Sequence, residues 1–218
     1  MNLETSKILG GIGAILVFIG IIPLFAYSSV ISLVGAILVL VGLYGIGNYY
    51  REPGIFTNAL IGILMGIIGV VVITVIAFTV LWANVTDLLV QIYPNWTPGD
   101  WTGLQGMTPD PNALNNFDFT NLLPLIWGLI GVAVIGWIVA IIASFFLWRS
   151  LKIITTKSTV GLFGTAGLLL LIGAFLAVII IGFILMWIAA LLLAIAFFQL
   201  KTQPVTVTTT PPPPPTTV

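Results

Sequence analysis

KSTVGLFGTAGLLLLIGAFLAVIIIGFILMWIAALLLAIAFFQLK, residues 157–201, holds no charged side chain between its two terminal lysines. Forty-odd residues at 1.5 Å rise would make a rod of about 60 Å, twice the roughly 30 Å of bilayer hydrocarbon. A single straight helix does not fit, so the stretch must double back as a hairpin. Gly182 and its neighbours are the expected bend. The predicted helices are 159–178 and 182–200.

Three more windows lack charge: Lys7 to Arg51, Glu52 to Asp87, and Asp118 to Arg149. The first is also too long for one crossing. Pro23 and the polar group Ala26-Tyr-Ser-Ser29 predict its turn, with helices over 6–25 and 29–49. The other two fit one helix each, over 55–83 and 122–148. The expected fold is an all-α membrane bundle of about six transmembrane helices, two hairpins plus two single spans. A five-span alternative lets the last window cross once. The domains read as 1–83 (three helices), 84–121 (an external loop), 122–200 (three helices) and 201–218 (a disordered Thr/Pro-rich tail).

Composition agrees. Of 218 residues, 60% are apolar and 6% are charged, against about 25% charged in a soluble domain. The six basic and six acidic residues cancel, leaving no electrostatic footprint for nucleic acid. There is no Cys and no His, which removes thiolate chemistry and the commonest catalytic base and metal ligand.

Charge sign orients the spans. With six crossings and a cytoplasmic N-terminus, Lys7, Arg51, Arg149, Lys152, Lys157 and Lys201 all fall on the cytoplasmic side, as the positive-inside rule requires. Asp87, Asp100, Asp110 and Asp118 fall in the external loop. Five crossings would leave Lys201 outside. Tyr49, Tyr50, Trp82 and Trp148 sit at predicted boundaries, where an aromatic ring with a polar tip suits the headgroup level. The first helix is expected to be retained, because Glu4 weakens a basic leader and no A-x-A site ends the first apolar run.

In the loop, Trp96, Trp101, Met107, Phe117 and Phe119 are expected to pack as a small cap. Asn84 and Asn95 open the two N-x-T patterns for N-glycosylation. Asp110, Asn112, Asn116 and Asp118 lack calcium-loop spacing and read as turn formers. The Thr/Pro-rich tail is expected to be extended polyproline II, either a solvated spacer or a strip for a docking partner.

No ionisable residue lies within a span, which argues against proton relays and ion-coupled sites. Ser and Thr in the spans are expected to bond back to their own helices. Glycine is more informative, because membrane helices associate where small residues let backbones approach. The expected packing residues are Gly10, Gly13, Gly62, Gly66, Gly69, Gly128, Gly131, Gly164 and Gly167. Gly62 and Gly66 form a G-x-x-x-G pair, and Gly66→Leu is expected to disrupt folding or assembly. A faint repeat relates Gly10 and Gly13 to Gly164 and Gly167.

The stretches Ser6-Lys-Ile-Leu-Gly-Gly-Ile-Gly-Ala-Ile-Leu16, Tyr44-Gly-Ile-Gly-Asn-Tyr-Tyr-Arg51, Ile55-Phe-Thr-Asn-Ala-Leu60, Gly66-Ile-Ile-Gly69, Thr165-Ala-Gly-Leu-Leu169 and Ala194-Ile-Ala-Phe-Phe-Gln-Leu-Lys201 carry a family likeness. They resemble an archaeal integral-membrane family known as domain of unknown function 996. The resemblance covers 5–83 and 122–201, without the loop or tail. It implies a plasma-membrane address and an archaeal source, and it implies no activity, cofactor or catalytic residue.

The functional expectation is a non-enzymatic membrane scaffold or accessory protein without cofactor or metal. Its expected partners are the lipid bilayer and copies of itself. A passive channel or small-solute transporter is the alternative.

Overall fold

The structure is a computed structural model that describes residues 2–20, 28–112 and 119–201. Among these the chain is helical and no strand occurs. Six α-helices follow in order: α1 (Leu3–Gly20), α2 (Ser28–Tyr50), α3 (Pro53–Ile92), α4 (Leu123–Ser158), α5 (Leu162–Phe175) and α6 (Ile180–Gln199). Five of them, all but α5, are long and apolar enough to cross a membrane. That count is the one the five-span alternative gives. The last charge-free window nevertheless folds back, with α5 and α6 packed on one another.

The helices form a ring. Each packs on its neighbour in sequence, and α6 closes the circle against α1. Alternating direction brings the start of α1, the α2–α3 turn, the end of α4 and the end of α6 to one end. Lys157 Nζ lies 2.5 Å from Glu52 Oε1 across that end. Leu3, Ile46, Ile55, Ile154, Phe163, Phe197 and Leu200 share one buried cluster there. Lys7, Arg51, Arg149, Lys152, Lys157 and Lys201 all belong to this end, and Asp87, Asp100 and Asp110 belong to the other.

The α2–α3 turn at the basic end is tight. Arg51 takes a left-handed backbone, φ 55°. Its N–H donates to the Asn48 carbonyl, and the Glu52 N–H donates to the Gly47 carbonyl. These two bonds satisfy carbonyls that the end of α2 would otherwise leave bare. Pro53 then starts α3, where its missing N–H costs nothing.

Several boundaries differ from the sequence reading. α3 continues past 83 to Ile92, since nothing in Asn84–Ile92 breaks a helix before Pro94. α4 continues past 148 to Ser158, so Arg149, Lys152 and Lys157 stand on a helix rather than in a loop. In the last hairpin the bend is a 3-10 turn, Leu176–Val178, with Ile179 extended. Gly182 lies just beyond it, where an added Cβ would strike the Leu176 and Ala177 backbone. The glycine marks a close approach rather than the bend itself. Pro23, Ala26, Tyr27, Asn116, Phe117, Asp118 and the tail from 202 lie outside the described residues.

The loop after α3 returns on itself. Asp110 N–H donates to the Ile92 carbonyl at 2.9 Å. Thr97-Pro-Gly-Asp100 closes a turn with Pro98 second and Gly99 third, the place where a positive φ of 102° needs glycine. Trp96 is 2% exposed and donates to the Asp100 carbonyl. The Trp101 ring contacts both Trp96 and Trp82, tilted by 56° and 60° to them. Of the five residues expected to form a cap, Trp96 and Trp101 pack together, with Trp82 of α3 added.

The Gly103 N–H and the Thr102 hydroxyl donate to the Asp100 carboxylate and hold its pKa below the usual value. A depressed carboxyl pKa lends order that is present above the free value of about 3.9 and is lost as pH falls through the folded value. Acidification below about pH 4 should therefore loosen the 100–103 turn. Tryptophan emission from the Trp96–Trp101 pair reads the change, and Asp100→Ala should abolish its pH dependence.

Candidate functional site

The centre of the ring is lined by small side chains. Ala14 of α1, Ala36 of α2, Ala166 of α5 and Ala189 and Ala190 of α6 all face it. Methyl groups cannot fill the middle of a six-helix ring, and a cavity of about 410 Å³ results. All six helices contribute to its wall, α3 through Ile63 and α4 through Leu147 and Leu151. Every lining side chain is apolar.

The cavity has a floor. Phe163 and Phe197 meet edge to face, with ring centroids 5.3 Å apart. Both are fully buried, as are Ile46, Ile55 and Ile154. This cluster fills the ring at the basic end. Toward the other end the wall borders a second space. Phe183 and Met186 line the central cavity and also a second cavity of about 580 Å³. The second cavity lies between α4, at Ile130, Val134 and Trp137, and the α5–α6 bend, at Ala177 and Val178. Val178 is 73% exposed, so this side faces outward.

Glycine seams set the ring's width. A Cβ on Gly13 would lie 2.6 Å from the Val39 amide nitrogen, and one on Gly35 would lie 2.7 Å from the Gly13 carbonyl. A Cβ on Gly42 would meet the Gly10 backbone at 2.7 Å. Gly10 also receives the Phe197 ring of α6. On the α3–α4 seam, Gly62 faces Ala143 and Leu147, Gly69 faces Val139, Gly136 faces Ile73, and Gly128 faces Val80. Gly167 packs on Trp148 and Leu151 of α4, and Gly164 on Thr155. Nothing comes within 4 Å of a Cβ at Gly66 or Gly131. The G-x-x-x-G pair is thus split: Gly62 faces α4, and Gly66 does not. The repeated glycines serve different neighbours, since Gly13 meets the following helix and Gly167 the preceding one.

The spans' polar groups mostly bond back. Thr57, Thr74 and Thr79 hydroxyls donate to carbonyls four residues earlier. Ser150 is an exception: it is fully buried and donates across to the Ile55 carbonyl of α3 at 2.6 Å. Asn84 sits in α3 rather than in a loop, and its amide donates to the Val80 carbonyl. Asn95 is exposed in the loop.

Besides Ser150, sequence reasoning passed over four residues that set helix contacts. Gly35 and Gly42, seven apart on α2, complete the α1–α2 seam, and their heptad spacing was the available signal. Trp137 and Trp187 act at helix ends. The Trp137 indole donates to the Ala174 and Phe175 carbonyls at 3.0 and 3.2 Å, where α5 stops. The Trp187 indole donates to the Phe18 carbonyl near the end of α1, and its ring stacks on Phe18. A helix that ends among apolar groups has last carbonyls that water does not reach, and these indoles donate to carbonyls near two such ends.

The family described as protein of unknown function (DUF996) matches residues 31–191. That span includes the loop between α3 and α4, which the sequence resemblance left out. An uncharacterized protein of Methanocaldococcus jannaschii is 26% identical over 200 residues, covering 92% of this chain and 94% of that protein. No solved structure matches at a significant level.

Two substitutions separate working glycines from idle ones. Gly13→Ala should lower stability by about 1–3 kcal/mol, because α1 and α2 must move apart. Gly66→Leu should change the stability of the single chain by less than about 0.5 kcal/mol. This departs from the folding half of the expectation for Gly66 and leaves its assembly half standing, and denaturant unfolding in mild detergent measures both substitutions. Trp137→Phe keeps an aromatic side chain but loses the indole donor and part of the ring volume, so it should cost about 1–3 kcal/mol and raise exchange at amides of the α5–α6 bend.

Proposed function

The chain belongs to the DUF996 family, and we propose that it serves its membrane as a non-enzymatic scaffold or accessory protein. The observation that carries this reading is the floor of the ring. Phe163, Phe197, Ile46, Ile55 and Ile154 fill the basic end with fully buried apolar side chains. A hydrated path needs polar lining or a backbone carbonyl ring along its length. Here the central wall offers neither, and the cavity stops at the floor. The channel alternative is correspondingly weak.

In this proposal the protein resides in the plasma membrane, with the basic end and both termini in the cytoplasm. The support is charge: all six basic residues gather at one end of the bundle. The loop around Trp96 and Trp101 then lies outside, where Asn95 is open to glycosylation. Association between copies would use the outward faces of α3 and α4, and the Thr/Pro-rich tail would reach a cytoplasmic partner. Nucleic acid is not a partner in this reading, since the net charge is zero.

The test is a flux screen. The chain, reconstituted into vesicles loaded with ions, sugars and amino acids, should leak none of them faster than protein-free vesicles do. Solute-selective leakage that scales with protein content would overturn the scaffold reading.

A further inference from the structure

We propose that the central cavity binds one hydrocarbon chain of a membrane lipid, admitted sideways past Phe183 and Met186. The argument starts from what the space excludes. A buried water needs two to four polar partners, and an apolar cavity without them stays dry. The wall around Ala14, Ala166 and Ala190 offers no polar side chain. An ion or a polar solute would lose its hydration there with nothing in return. The occupant must therefore be apolar.

Size narrows it further. An apolar cavity of roughly 150 Å³ accommodates benzene. At about 410 Å³ the present one is nearly three times larger, which leaves room for a chain on the order of 15 carbons on the same scale. Its extent along α6, from Phe183 to Leu193, is about 15 Å at 1.5 Å per residue. The shape is thus longer than a ring compound requires and suits a flexible chain.

The route decides the source. At the basic end Phe163 and Phe197 close the floor, so a water-borne ligand has no way in from that side. The opening lies instead between α4 and the α5–α6 bend, where Val134 and Val178 are exposed on the apolar outer surface. In a bilayer those residues already touch acyl chains. Phe183 and Met186 belong to both cavities. Met186 is flexible and polarisable, suited to sliding contact with a hydrocarbon. The Trp137 indole holds the α5 end beside this opening, so the mouth has a fixed rim.

This inference concerns the cavity alone and does not depend on the scaffold reading. The full chain is reconstituted in phosphatidylcholine vesicles doped with a phosphatidylcholine that carries a diazirine on one acyl chain. After irradiation, adducts are mapped by peptide mass spectrometry. The expected result is labelling of Met186, Ala190 and Leu193 on α6 and of Ala166 on α5, beside the unavoidable labelling of lipid-facing Val75 and Phe78. Ala190→Phe, which fills the cavity, should cut the inner adducts at least tenfold and leave those at Phe78 unchanged. Should that variant fail to fold, the wild-type map decides by itself. Adducts confined to lipid-facing residues, or inner adducts that persist at full yield in a folded Ala190→Phe protein, would overturn the proposal.

Discussion

Backbone contact between α1 and α2 governs the rest of the molecule. At Gly13, Gly35 and Gly42 the two helices touch with no side chain between them. That approach leaves Gly10 open to Phe197, which draws α6 against α1 and closes the ring. Closure in turn places Phe163 against Phe197 and seals one end. Lipid tails are as apolar as the side chains, so water does not drive these contacts. Close packing has to supply the attraction, and glycine permits it. The second seam, between α3 and α4, works mostly with side chains: valine, leucine and isoleucine reach into glycine gaps on the facing helix, and only Gly62 also meets the facing backbone, at the Ala143 carbonyl.

Much of this was legible in the residues. Charge-free windows measured against bilayer thickness forced the two hairpins, and the structure contains both. Charge sign gathered the six bases at one end, as observed. Helix ends were less legible. Apolar runs report where lipid lies, whereas helices stop where a breaker or cap intervenes. α3 therefore outran its apolar run to Ile92, and α4 carried Arg149 to Lys157 on helical backbone. Glycine position was half legible. Spacing identifies a candidate face, but neighbours decide whether it is used, and Gly62 and Gly66 differ for that reason. The tryptophan donors were invisible, because each joins residues distant in sequence: Trp137 with Ala174, and Trp187 with Phe18. The cavity was hidden likewise, since five scattered alanines form a wall only after six helices assemble.

The two halves of the ring differ in character. At the basic end large side chains interlock, and Ser150 bridges α4 to α3 with a buried bond. Midway along the ring the wall thins to alanines, and toward the loop end Phe183 and Met186 stand beside the α5–α6 bend. One half is shaped to hold its form and the other to leave space. The indole bonds at the ends of α1 and α5 lie in the open half. Rigidity there rests on a few hydrogen bonds rather than on a filled core.

The helices also disagree in length. α1 and α6 hold 18 and 20 residues, while α3 and α4 hold 40 and 36. The apolar part of α3, residues 55–83, is about 43 Å long, whereas all of α1 is about 27 Å. A sheet of lipid with even thickness cannot match both sides of one molecule. It must swell beside the longer pair, or the pair must lean, at a cost of fractions of a kcal/mol per ångström. In a bilayer the unequal pairs would thus either tilt against one another or give the surrounding lipid a slope.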